Sequence, residues 1–194
     1  MELTFMSHTL LLLRHAKSSW EDVGLRDRDR PLARRGIHAA PLIGQYMRAH
    51  RYIPDLILCS DAVRARQTLD LLTSSLRTQD RPEPQIKLNP GIYDDGVDEL
   101  MSLIRAQADD EGTILVIGHN PTLEDAADAL CGAQDDAHAR ALRTKFPTAA
   151  LAVFRIQGEW SALSSDSADL LDFTVPRSLG SGSTKQLDTA GAAE

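Results

Sequence analysis

The sequence predicts an α/β domain built around a mostly parallel sheet with an antiparallel edge, on three observations. Short apolar runs alternate with helical patterns along most of the chain, the order expected when helices cross between parallel strands. Two of those runs, Leu10-Leu11-Leu12-Leu13 and Thr113-Ile114-Leu115-Val116-Ile117, end abruptly in polar groups, the first in Arg14-His15-Ala16-Lys17 and the second in Gly118-His119-Asn120. Near the carboxyl end, Ala149 to Ile156 alternates like a strand, and Gly158-Glu159 turns it toward Trp160 to Leu163 as an antiparallel edge pair.

The elements follow in order. Thr9 to Leu13 is the first strand, and Ser18 to Arg30 is a polar, charge-rich loop. Leu32 to Ala49 reads as a helix with Ile37, Leu42, Ile43, Tyr46 and Met47 on its apolar side. Pro54 leads into a second strand, Asp55 to Cys59, and Ser60 or Asp61 is an N-cap for a helix running to about Leu76. Pro82 and Pro84 mark a connector over Thr78 to Gln85, followed by a short strand, Ile86 to Leu88, and a loop, Asn89 to Gly96. Val97 to Ala108 is helical, with Leu100, Leu103 and Ile104 inward, and Gly112 restarts the chain into the strand Thr113 to Ile117. Pro121 suits the first turn of a helix ending near Cys131-Gly132. The predicted organisation is a disordered extension over 1–7, one domain over 8–176 and a disordered Gly-, Ser- and Ala-rich tail over 177–194.

A chain of 194 residues is long enough for one domain with its own core. The net charge of −7 argues against a general nucleic-acid or anionic-membrane surface, because both need a basic face. A protein so acidic must gather its cations locally to hold phosphate. Cys59 and Cys131 stand far apart in no metal-ligand spacing, which reads as two reduced buried thiols in a cytoplasmic protein. No apolar run approaches the ~18 residues of a membrane span, and the amino end has no signal-peptide pattern.

Ligands of open α/β sheets bind outside the carboxyl ends of the strands. Three strands deliver useful groups there: Arg14 and His15 from the first, His119 from the third, and from the second a helix start carrying Arg64. Helix amino termini offer free N–H groups and partial positive charge, and a guanidinium suits bidentate phosphate contact. Two histidines with arginines at hand describe an anion pocket that also holds a nucleophile, which is the chemistry of phosphoryl transfer. His8, His38, His50 and His138 stand in helical or terminal contexts and receive no role.

Arg14-His15-Ala16, Ser60-Asp61-Ala62-Val63-Arg64-Ala65-Arg66-Gln67-Thr68 and Gly118-His119-Asn120-Pro121 together resemble the histidine phosphatase superfamily, which includes the phosphoglycerate mutases. Arg14-His15-Ala16-Lys17-Ser18-Ser19-Trp20, and Arg30-Pro31-Leu32 followed by Gly36, resemble its small SixA-like phosphohistidine phosphatases. The resemblance spans about His8 to Pro176. It implies a three-layer α/β/α, phosphoglycerate mutase-like fold. It implies His15 as the nucleophile, Arg14 and Arg64 as phosphoryl-oxygen ligands, and His119 as a donor to the same oxygens. Lys17 and Arg30 are second-tier candidates for substrate contact, the rest of Arg26-Asp27-Arg28-Asp29-Arg30 reading as solvated loop.

The expected activity is phosphatase hydrolysis, of a protein phosphohistidine above all, through a covalent adduct on His15, with no metal or other cofactor. The expected partner is a phosphorylated protein or small phosphorylated substrate; a monomer is compatible with the sequence. The alternatives are a small-molecule phosphomonoesterase, a phosphoglycerate-mutase-like enzyme and a non-catalytic phosphoprotein-binding module. Two departures from the superfamily stand out. Ala16 occupies a position where glycine is common, and Asn89 to Gly96 has no glutamate to serve as general acid, leaving Asp94 or Asp95 as the acidic residues of that loop.

Overall fold

The computed structural model describes residues 7–77 and 81–179. Six strands form one sheet: β1 (Ser7–Arg14), β2 (Leu56–Cys59), β3 (Gln85–Leu88), β4 (Thr113–Gly118), β5 (Leu151–Gln157) and β6 (Ala168–Thr174), in the order β3-β2-β4-β1-β5-β6. The first four run parallel, while β5 pairs antiparallel with both β1 and β6. The expected α/β class, with its mostly parallel sheet and antiparallel edge, is what the chain adopts.

Period-two geometry explains the unbroken apolar runs. Leu10 and Leu12 of β1 face one core with Ile104, Leu123, Leu130 and Leu142, contributed by α4 (Val97–Arg105), α5 (Thr122–Cys131) and α6 (Ala137–Thr144). Leu11 and Leu13 face the other, with Ile43 and Met47 of α1 (Arg34–Ala49) and Leu69 and Leu72 of α2 (Val63–Leu76). Helices thus cover both faces of the sheet, giving three layers. Cys59 and Cys131 are free and buried.

Several elements depart from expectation. Trp160 to Leu163 is no edge strand: Trp160–Ala162 is a 3-10 turn, with the indole N–H donating to the Glu111 carbonyl at 2.8 Å. The antiparallel edge is β6, whose inward positions include Asp172 and Thr174, polar residues that break the apolar alternation. Asp136 caps α6 by accepting from the Ala139 N–H at 2.9 Å, an element the sequence reading left out. Gly91–Asp94 forms a one-turn helix, α3, inside the expected loop. Ile37 is exposed, because α1 buries Gly36, Ala40, Ile43, Gly44 and Met47 instead.

Neither Ser60 nor Asp61 caps α2. Ala62 takes that position with no side-chain bond, since Asp61 is held by Arg28 at 2.6 Å. His8 lies in β1 rather than at a loose terminus, and its ring nitrogens reach the carbonyls of Gly158 and Asp109. The domain's ends also shift. Ser7 already belongs to β1, and Pro176–Leu179 forms a short helix, α7, past the expected boundary at 176. The remainder of the two expected disordered ends lies outside the described residues, as do positions 78–80 of the connector.

Glycine sets how closely α1 approaches its neighbours. A Cβ on Gly36 would collide with the Lys17 carbonyl, and one on Gly44 would stand 2.7 Å from the Leu72 carbonyl oxygen and 2.8 Å from Ser75 Cβ. Gly44→Ala should therefore lower stability by about 1–3 kcal/mol through overpacking, despite alanine's better helix propensity. A urea-denaturation midpoint equal to or above the parent's would contradict this reading of the α1–α2 contact.

Candidate active site

The register of the central strands brings the chemistry together. Arg14 lies level with Gly118, and Cys59 with Ile117. Just beyond the strand ends, the His15 N–H donates to the Gly118 carbonyl and the Ser60 N–H to the Ile117 carbonyl, each at 3.0 Å. His15, Ser60 and His119 consequently leave the sheet side by side. Ala149 closes the remaining side with a φ of +59°, its N–H shared between the carbonyls of Arg14 and His15 at 3.0 and 3.1 Å. A non-glycine residue in the left-handed region is strained, and such strain gathers at functional sites.

The His15 and His119 rings lie 4.8 Å apart between centroids. His15 Nδ1 sits 2.7 Å from the Ala16 carbonyl, which can only accept, so Nδ1 carries the proton and Nε2 presents its lone pair. Arg64 Nε donates to that lone pair at 3.2 Å. Thr68 couples the two parts: its hydroxyl donates to the Arg64 carbonyl at 2.7 Å and accepts from the Ala16 N–H at 3.0 Å. The backbone at Ala16 is thereby fixed against α2. His119 Nε2 pairs with the Ser60 hydroxyl at 2.9 Å. Ser60 Oγ also accepts from the Ala62 N–H at 3.3 Å and keeps a proton it can donate to His119 Nε2, the arrangement that places the imidazole proton on Nδ1.

Burial and charge set the protonation. Burial is the larger cause holding His15 down to about 4, with the charges of Arg64 and Arg14 adding to it and the Ala16 carbonyl opposing. His119 is held down to about 3, by burial and then by the positive charge of His15 and Arg64. Both rings are neutral at pH 7, as a nucleophilic imidazole needs to be. Arg14 donates to the Phe146 carbonyl at 2.8 Å, and burial lowers its pKa. Two buried nitrogens beside His15, Arg14 Nε and His119 Nδ1, have no protein partner.

The second-tier cations lie elsewhere. Arg30 spends its guanidinium within its own loop, on the Ser19 carbonyl, the Ser18 hydroxyl and Asp27, and stacks on Trp20. Lys17 lines a separate hollow between α1 and α6. Asp94 pairs with Arg28 at 3.1 Å, while the Asp95 N–H donates to the Gly91 carbonyl and its carboxylate lies against Gly91.

Asp27 and Tyr93 are the residues that sequence reasoning passed over. Asp27 accepts from Arg64 at 2.8 Å, from Arg30 at 2.7 Å and from the Tyr93 hydroxyl at 2.7 Å, while its carbonyl takes a second Arg64 bond at 2.5 Å. Burial alone would raise the Asp27 pKa; the bonds from Tyr93 and Arg30 and the charge of Arg64 outweigh it and bring it to about 2. Tyr93 stands edge-on to His119, with centroids 5.0 Å apart. The available signal was one carboxylate between arginines, in a run whose alternating signs look like solvated surface.

A model of the histidine phosphatase superfamily (branch 1) matches residues 10–88. An uncharacterized protein of Mycobacterium tuberculosis is 38% identical over 169 residues, covering 85% of this chain and 100% of the relative. A structure described as a candidate phosphohistidine phosphatase SixA from Nakamurella multipartitia superposes with a TM-score of 0.75 at 31% identity, over 88% of this chain and 96% of that one. The chain belongs to the histidine phosphatase superfamily. Within it, the chain is SixA-like. The superfamily's phosphoglycerate mutase-like fold is shared with phosphoglycerate mutase from Plasmodium falciparum, at a TM-score of 0.56 and 15% identity over 97% of this chain and 99% of that one. No described helix of this histidine phosphatase homologue is long and apolar enough to cross a membrane.

The depressed histidines give stability a defined pH dependence. An unfolded histidine binds its proton at about 6.5, whereas His15 and His119 in the folded chain wait until about 4 and 3. The unfolded state therefore binds more protons below pH 6.5, and stability falls as pH drops from there toward 4. Urea midpoints should fall between pH 7 and pH 5, and the fall should shrink in a His15→Asn, His119→Asn double variant. Asp27→Asn removes a carboxylate from Arg64 and should raise KM for a phosphoryl substrate or lower kcat by roughly tenfold, read from steady-state kinetics.

Proposed function

We propose that this chain is a phosphatase that takes a phosphoryl group from phosphohistidine in a protein onto His15 Nε2 and then releases it to water. The observation that carries this reading is the pair of buried unpartnered nitrogens, Arg14 Nε and His119 Nδ1, beside a neutral imidazole whose lone pair faces Arg64. Unpaired buried donors are costly, and phosphoryl oxygens would satisfy them.

In the first step Arg64 Nε gives up its bond to His15 Nε2 in favour of a phosphoryl oxygen, and the freed lone pair attacks phosphorus while the bond to the leaving nitrogen breaks. Arg14, Arg64 and His119 hold the equatorial oxygens, where the charge is spread. In the second step water attacks phosphorus, the His15–phosphorus bond breaks, and inorganic phosphate leaves with His15 restored. The guanidiniums supply the positive charge this requires, so the reaction is read as metal-independent and cofactor-free. Losing one donor, as in Arg64→Ala, should cost roughly 10²–10³ in rate.

The leaving group favours phosphohistidine. Asp94 is paired with Arg28, and the Asp95 carboxylate lies against Gly91 of its own one-turn helix, so neither acid of the 89–96 loop is bonded to His15. An alkoxide would need such an acid. A phosphohistidine ring protonated on its second nitrogen departs as neutral imidazole, whose conjugate acid has a pKa of about 6.5, and needs none. The reduced buried thiols fit a cytoplasmic setting.

Two experiments test the proposal. Labelled p-nitrophenyl phosphate, quenched during turnover, should leave an acid-labile, base-stable adduct that mass spectrometry maps to His15 and that His15→Ala abolishes. A phosphohistidine peptide should turn over at least tenfold faster than a simple alkyl phosphate; equal rates would remove the leaving-group argument. Binding without product would make the chain a phosphoprotein-binding module.

A further inference from the structure

A hollow of about 770 Å³ lies between α1 and the chain from α6 to α7. Its floor is apolar, with Leu42 from α1 and Phe173 from β6. Its rim carries Lys17, Arg35, Lys145 and Arg177, and no carboxylate lines it among the described residues. None of these four cations forms an ion pair among the described residues, a state shared with Arg34, Arg48, Arg66 and Arg105; what sets the four apart is that they line one hollow. Four unpaired cations around one hollow are conspicuous in a chain of net charge −7.

The hollow adjoins the reaction centre. Lys17 follows His15 by two residues. Pro147 and Thr148, on its wall, sit between Phe146, whose carbonyl holds Arg14, and Ala149, whose N–H holds the carbonyls of Arg14 and His15. A protein segment seated in it would therefore lie beside the phosphoryl group being transferred.

We infer that this hollow is the docking surface for an acidic segment of the phosphorylated protein, next to the phosphohistidine that His15 attacks. The inference rests on the phosphatase reading and gives its substrate a chemical character. Charge complementarity selects the occupant: a basic rim over an apolar floor fits a segment that alternates Asp or Glu with apolar residues. The rim steers encounter and sets affinity, while the chemistry stays with His15, Arg14, Arg64 and His119. The contribution should appear in KM and fade with salt, because exposed charges are screened beyond about 8 Å at physiological ionic strength.

The test uses three substrates on the full chain: p-nitrophenyl phosphate and two phosphohistidine peptides of equal length, one flanked by Asp and Glu, the other by Asn and Gln. The parent should prefer the acidic peptide by about tenfold in kcat/KM, mostly through KM, as two exposed ion pairs allow. The double variant Arg35→Glu, Lys145→Glu should erase or reverse that preference and leave p-nitrophenyl phosphate turnover unchanged. The milder Arg35→Gln, Lys145→Gln pair should fall between them. A parent that treats both peptides alike, or a charge-reversed variant that keeps the preference, overturns the docking inference while p-nitrophenyl phosphate turnover leaves the phosphatase reading standing. Failure on all three substrates overturns both.

Discussion

The site depends on burying like charges together. Arg14 and Arg64 both act on His15 and His119, and each positive group makes the next harder to charge. The fold meets this with few opposing groups: the Asp27 carboxylate and carbonyl on Arg64, and the Phe146 carbonyl and the Glu124 charge on Arg14. What remains uncompensated is directed to use. The imidazoles stay neutral, and two nitrogens stay without partners where an oxyanion would satisfy them.

Backbone pairing makes that arrangement possible before any side chain is considered. Parallel strands β2, β4 and β1 end almost level, so residues some fifty to a hundred positions apart emerge within hydrogen-bonding reach. The loop carrying Asp27 then folds back on the site, fastened by Arg28 to both Asp61 and Asp94. The sheet edge supplies the imidazoles, and the pinned loop supplies the counter-charge. Such a division leaves Asp27 to hold the Arg64 guanidinium in place against His15.

Much of this was legible because the decisive residues sit where apolar runs stop. Leu10 to Leu13 and Ile114 to Ile117 are buried, so their ends mark the sheet's edge, and His15 and His119 follow two residues on. The features that escaped reading owe their form to distant contacts. β6 hides its period because Asp172 is buried against the Tyr46 hydroxyl, 126 residues away, at 2.6 Å. Asp27 looked solvated because its partners, Arg64 and Tyr93, lie in other segments. The cap at Asp136 was visible, but α6 is short and its helical face carries few large apolar residues.

Thr68 ties the histidine loop and the arginine helix to one oxygen atom, through the Ala16 N–H on one side and the Arg64 carbonyl on the other. Valine has the same shape but would sever both links at once, while serine would keep them. Drift at this position is thus confined to hydroxyl-bearing residues unless another group takes over the fastening. The alignment of the His15 ring and the Arg64 guanidinium is inherited through a side chain that bonds only to the backbone beside each.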